Sequence, residues 1–303
     1  MERRERWFTD GAAALRRTLT AMGMEDSLPS AGQFYACPLC LMTYGRDAFD
    51  GGVFSDEHVP PLTAGGRALV LTCRRCNNTA GTAMDADAAG REAVRDFLAG
   101  RSPSRDLRAE FAVGEVSIKG NINNINGAVV MSVVPKANNP CDITNMTRTL
   151  TQWADQGVGG RIGFRFMERV SPTAARLSWV RAAYLVAFAA FGWRYAFQAC
   201  LNPLRAQLAA PAESILPPLA LFDLGASRER RQLLVVEEPA EMRSLAVVLG
   251  RHTVFLPGVM EPQQPFDALA AALARYSALP TPHRQCVRKQ MPWPTEPQYA
   301  FDG

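Results

Sequence analysis

The sequence predicts a mixed α+β protein in which a small cysteine-stapled module precedes a larger α+β part of unassigned type. Three observations lead there. Two C-x-x-C pairs, "CPLC" at 37–40 and "CRRC" at 73–76, bracket a short loop-rich stretch. After them, segments with period-two apolar spacing alternate with segments of helical spacing. Apolar residues make up 48% of the 303 residues, enough to bury a sizeable core.

Taken in order, residues 3–22 predict a short amphipathic helix, with Trp7, Leu15, Leu19 and Met22 near one face, and "GMEDSLPSAGQ" reads as a loop; 1–33 form this N-terminal piece. Residues 85–99 carry Ala89, Ala93, Val94, Phe97 and Leu98 at helical spacing, with Gly100 as the stop. "GRSPSRD" at 100–106 has linker composition, so the cysteine module is expected over 34–100 and a second domain over 106–303. There, "AEFAVGEVSIKGNI" and "GAVVMSVVP" read as strands joined through Asn126-Gly127. A helix over 141–156 and a strand over 161–170 follow. Ser171-Pro172 opens a helix to 191, apolar on most sides and therefore expected to be enclosed. A helical stretch interrupted at Pro203, strands at 233–238 and 244–257, and a helix over 265–278 complete the series. The tail from Pro280 reads as irregular.

The net charge of +4 is concentrated. Residues 1–105 hold 13 Lys/Arg and 13 Asp/Glu; residues 106–303 hold 20 and 16. That excess is too small to establish a polyanionic partner by itself. The run "RERRQ" at 228–232 reads first as a solvated face and second as a nucleic-acid contact. The first residues lack the apolar core of a secretion signal. The longest apolar run, 182–193, is too short to cross a bilayer. With an odd count of seven cysteines, the expectation is a cytoplasmic protein in a reducing compartment, with no membrane partner. Cys141, Cys200 and Cys286 are expected to be small buried hydrophobes. His252 reads as a structural strand histidine, and His283 as an isolated loop residue.

Cys37, Cys40, Cys73 and Cys76 are spaced as two zinc knuckles. Two residues between thiolates let one turn aim both sulfurs at one ion, and two such turns complete a tetrahedron. A redox pair would need only one such motif, so structural Zn²⁺ is the expectation.

Between the knuckles lies "FSDEHVPPLTAGG", and the second knuckle continues as "CRRCNNTAG". Together these residues resemble the HNH endonucleases of the four-cysteine, ββα-metal type, over about residues 34–90. The resemblance implies a metal-dependent endonuclease that hydrolyses phosphodiester bonds of DNA. His58 would activate water, a role that the unperturbed pKa of an imidazole suits. Glu57 and Asn77, or the adjacent Asn78, would hold a catalytic Mg²⁺ or Mn²⁺; such oxygen ligands suit a hard cation. Asp56 stands in reserve for Glu57, Arg74 and Arg75 are phosphate or solvent contacts, and Asp85 and Asp87 are supporting or helix-capping acids. The resembled pattern has a bracing Asn near the position of Ala68, which cannot brace through a side-chain hydrogen bond. The alternative is therefore a catalytically weak or inactive zinc-stapled module that binds nucleic acid or protein. The domain at 106–303 would serve sensing, specificity or homo-oligomerisation.

Overall fold

The structure, a computed structural model, describes residues 2–260, 262–280 and 286–299; His283 lies outside them. The chain mixes helix and strand, as expected. It divides into two compact units, one of Asp87–Pro172 and one of Met1–Ala86 with Thr173–Gly303. This corrects the expected boundary at 100–106 and the single domain over 106–303: the described residues after Pro172 pack with the cysteine module.

Helix α1 (Arg3–Ala21) buries Trp7, Phe8, Leu15 and Leu19 on one face. Strand β1 (Phe34–Ala36) pairs with β2 (Thr43–Gly45) around the first knuckle, and the short α2 (Arg46–Asp50) follows. Strands β3 (Phe54–Val59) and β4 (Arg67–Cys73) form an antiparallel hairpin that runs directly into α3 (Arg74–Ala80). The hairpin loop depends on its glycines. Gly65 has φ +76°, and a Cβ on Gly66 would stand 1.5 Å from the Pro60 carbonyl oxygen, so no side chain fits there. A wider π-type turn over Gly81–Asp85 then leads into α4 (Ala86–Leu98).

In the unit of 87–172, α4 contributes Ala93 and Phe97 to a core with Leu107, Phe111, Ile118 and Ile122. Strands β5 (Leu107–Val113), β6 (Val116–Ile125), β7 (Ala128–Val133) and, after helix α5 (Pro140–Asp155), β8 (Ile162–Phe166) form an antiparallel sheet in the order β7-β6-β5-β8. β5 alternates buried and exposed positions, as a strand with one covered face should. The expected turn at Asn126-Gly127 is present, with both residues at positive φ. Cys141 is exposed at the start of α5 and Cys200 and Cys286 are half-buried, so none of the three is the buried filler expected. Cys141 lies in the first turn of α5, a helix with no fully buried residue, and its N–H is capped by Asn139.

Helix α6 (Pro172–Phe191) returns the chain to the first unit. It is long and apolar enough to cross a membrane, yet 94% of its apolar window is buried inside the protein, as in the core helix of a soluble protein. Residues Ala183–Ala189 are all at 0% exposure. Burying each Leu, Val or Phe there contributes about 1.5–3 kcal/mol before entropy is counted. This is why 173–303 cannot stand apart: α6 needs cover on all sides. The Tyr184 hydroxyl donates to the Pro38 carbonyl in the first knuckle (2.7 Å), and the Trp193 indole donates to Gly11 in α1 (2.8 Å).

Helices α7 (Trp193–Ala196) and α8 (Asn202–Ala209) divide the helical stretch, but the break lies at 197–201 and Pro203 sits in the first turn of α8, where its missing N–H costs nothing. β9 (Ala220–Phe222), β10 (Arg231–Glu238), β11 (Ser244–Leu249) and β12 (His252–Leu256) follow, then α9 (Phe266–Ala278) and β13 (Val287–Met291). The sheet order is β13-β10-β11-β12-β9, every pair antiparallel. Two expectations change here. The run 244–257 is a hairpin rather than one strand, turning at Gly250 (φ +66°). Residues 287–291 of the tail are an edge strand rather than irregular, because β10 offers a partner edge that no local pattern encodes.

Candidate metal and nucleic-acid site

The four knuckle cysteines converge: their sulfurs all lie within 4.8 Å of one another. Cys40 and Cys73 sulfurs are 3.9 Å apart, close to the roughly 3.8 Å edge of a tetrahedron with Zn–S bonds of about 2.3 Å. The Cys73 backbone N–H donates to the Cys37 sulfur (3.4 Å), and Arg75 donates to that of Cys40. Hydrogen bonds from the neighbouring thiols pull the Cys40 thiol down to about 6, while burial pushes Cys37 up. Two half-buried and two buried thiols, crowded together without a disulfide, fit one structural Zn²⁺.

The four-cysteine cluster closes the base of the β3–β4 hairpin and the start of α3. Register shifts at Glu57/His58: Glu57 faces Val70 and His58 faces Ala68, which leaves Leu69 as an extra residue on β4. Ala68 thus stands directly across from the candidate base, where a bracing side chain would be useful. The two faces of β3 diverge. Asn77 donates its Nδ2 to Ser55 Oγ (2.8 Å) on the face toward α3, so Ser55 and Glu57 share that side by strand alternation.

Glu57 is not open to solvent. At 3% exposure it is ion-paired with Arg181 of α6 and accepts from Thr72 Oγ1 (3.2 Å). The same guanidinium reaches Asp85 (3.4 Å), and the Ser178 hydroxyl donates to Asp85 (2.6 Å). Burial pushes the Glu57 carboxyl up, and the Arg181 charge pulls against it. This arrangement does not fit the expected Mg²⁺ or Mn²⁺ on Glu57, Asn77 and Asn78. A guanidinium already neutralises the carboxylate, the Asn77 amide is turned to Ser55, and Asn78 is exposed on α3. Among the described residues, only the four cysteines converge as a group of potential ligands.

His58 faces elsewhere. It lines a cleft of about 900 Å³ together with Arg3, Arg67, Arg228, Arg231 and Trp293, with Glu229 the one acid on the wall. Arg231 is half-buried, and its guanidinium donates to the carbonyls of Ala64 (3.2 Å), Arg228 (2.7 Å) and Arg230 (2.9 Å). Burial pulls its pKa down, and among the described residues no carboxylate is ion-paired with it. Glu57, Asn77 and Asn78 do not line this cleft.

The other singled-out residues have simpler positions. Asp56 pairs with Arg3 and Arg4 of α1. Arg74 is exposed. Asp87 belongs to the other compact unit, in the first turn of α4. His252 is buried in β12 and stacks on Trp179 with centroids 4.2 Å apart, the structural role expected. The basic run at 228–232 supplies two cleft arginines, Arg228 and Arg231. Arg181 was missed as a site residue; its signal was an arginine bordering the longest apolar run of a helix that is apolar on most sides, where a buried guanidinium must find a carboxylate. Trp293 carried no signal at all.

Comparison of the chain with family models, curated proteins and solved structures finds no match.

Proposed function

We propose that this chain is an endonuclease of the HNH type that hydrolyses phosphodiester bonds of DNA, with His58 as general base. The observation that carries this reading is the company His58 keeps: it projects from a zinc-compatible hairpin–helix into a cleft with four arginines and one glutamate. Hydrolysis needs a water deprotonated near neutral pH and positive charge on the phosphate as it gains negative charge. His58 supplies the first; Arg67 and Arg231 supply the second. Guanidinium groups suit phosphate oxygens because they donate in a planar fork. Zn²⁺ on the four thiolates holds hairpin and helix together and takes no part in the chemistry. A divalent ion on Glu57 is assigned no step, since Arg181 occupies that carboxylate.

That ion pair favours a second reading, a zinc-stapled module that grips nucleic acid without cutting it. Plasmid nicking separates the two, run with wild type and His58→Ala, each with and without Mg²⁺ or Mn²⁺. The nuclease reading expects His58→Ala to lose about 100-fold or more, the range for a lost general base, at unchanged zinc content. Equal nicking by the two proteins, or none by wild type, sinks it.

A further inference from the structure

We propose that the His58 cleft is a site for single-stranded nucleic acid, with Trp293 as a stacking platform for an unpaired base and Arg67 and Arg231 as phosphate contacts. The inference deepens the function proposed above and rests on it only for the identity of the cleft as a nucleic-acid site.

The cleft lining carries two kinds of group. Some are cationic: Arg67 is exposed at the start of β4, and Arg231 is held in place by three backbone carbonyls. Pre-positioning matters because a guanidinium fixed by carbonyls does not have to be ordered when the ligand arrives. The others are apolar: Leu62 is 68% exposed in the hairpin loop, and half-buried Trp293 lines the same space. Trp293 makes no ring–ring or cation–π contact within the described residues.

An intact duplex can use only the cationic groups. Its phosphates are on the outside, but its base faces are covered by neighbouring bases. A single strand can use both, since every unpaired base has a free π-face and base–aromatic stacking is tolerant of sequence. At about 900 Å³ the cleft is the size of a small-ligand site, which suits a few unstacked nucleotides better than a double helix.

The test is fluorescence anisotropy with a short fluorescein-labelled deoxythymidine oligomer, and with a blunt duplex of the same length. The protein is the full zinc-loaded chain carrying His58→Ala, in buffer without Mg²⁺ or Mn²⁺, so that cutting plays no part. We expect the single strand to bind at least tenfold tighter than the duplex. Adding Trp293→Ala should weaken the single strand about tenfold, leave the duplex unchanged, and be largely rescued by Trp293→Phe. Adding Arg67→Ala should weaken both and lower the salt slope by about one. Equal affinity for the two probes, or a Trp293→Ala protein that stays folded and binds the single strand as before, overturns the proposal. Should Trp293→Ala fail to fold, Trp293→Leu keeps bulk without a π-face and is held to the same outcome. Failure here leaves the nicking experiment intact, and single-strand preference without nicking refutes only the hydrolytic reading.

Discussion

Replacing Arg181 by methionine probes the network that stands where a catalytic cation was expected. Methionine keeps most of the side-chain volume and removes the charge. Arg181 and Glu57 have side-chain exposures of 2% and 4%, so water cannot take over from either. Removing one member of such a pair costs about 3–5 kcal/mol, chiefly because the partner's charge stays buried and uncompensated. Glu57 can escape part of that cost by taking a proton, toward which burial already pushes it. The expectation is a loss near the lower end of that range, read by urea denaturation of the zinc-loaded protein. Two controls give the number meaning. The double variant Glu57→Gln, Arg181→Met removes both charges and should recover most of the loss. Millimolar Mn²⁺ should stabilise Arg181→Met and leave wild type unmoved, because only the variant offers Glu57 and Asp85 free of the guanidinium. Saturation at about 100 Kd would return about 2.7 kcal/mol. A loss below about 1 kcal/mol, or a double variant less stable than the single one, would refute the claim that this pair is a closed, mutually neutralising unit. Equal Mn²⁺ stabilisation of both proteins would refute the claim that Arg181 excludes the ion.

The remaining predictions concern the knuckles. Cys73→Ser removes one of four converging sulfurs, so zinc measured by mass spectrometry should fall from one ion per chain toward none, with loss of ordered structure in the hairpin and α3; a folded, active, zinc-free variant contradicts the stapling role. Tyr184→Phe removes the donor to the buried Pro38 carbonyl and leaves that oxygen unpaired, which should cost about 1–3 kcal/mol. Zinc should also pass faster to a colorimetric chelator, and unchanged stability with unchanged zinc transfer would show that α6 does not brace the first knuckle.

Legibility in the sequence follows the range of the interactions involved. Cys37, Cys40, Cys73 and Cys76 were readable because two residues between thiolates is a local constraint of one turn, and α1, α4 and α6 because helical spacing is local too. The unit boundary was not, since it turns on which parts of the chain cover α6, and an all-round apolar helix states only that it needs cover. Strand β13 escaped for the same reason: "VRKQM" has no alternation of its own and becomes a strand through the open edge of β10. The site divides along the same line. His58 and Glu57 are neighbours in "FSDEHV", and adjacency suggested a shared task. In a strand, however, adjacent side chains point to opposite faces, and what each meets is set by residues far away in the chain. Glu57 meets Arg181, 124 positions on, and His58 meets Arg231, 173 positions on, in a common cleft. The arginines therefore decide what the motif can do. One closes the carboxylate that a cation would need, and the other adds a cation to the cleft that the imidazole lines. A hairpin with those local residues and neither distant arginine would be a different chemical object, which is why the Arg181 substitution interrogates the site more sharply than any change within the motif itself.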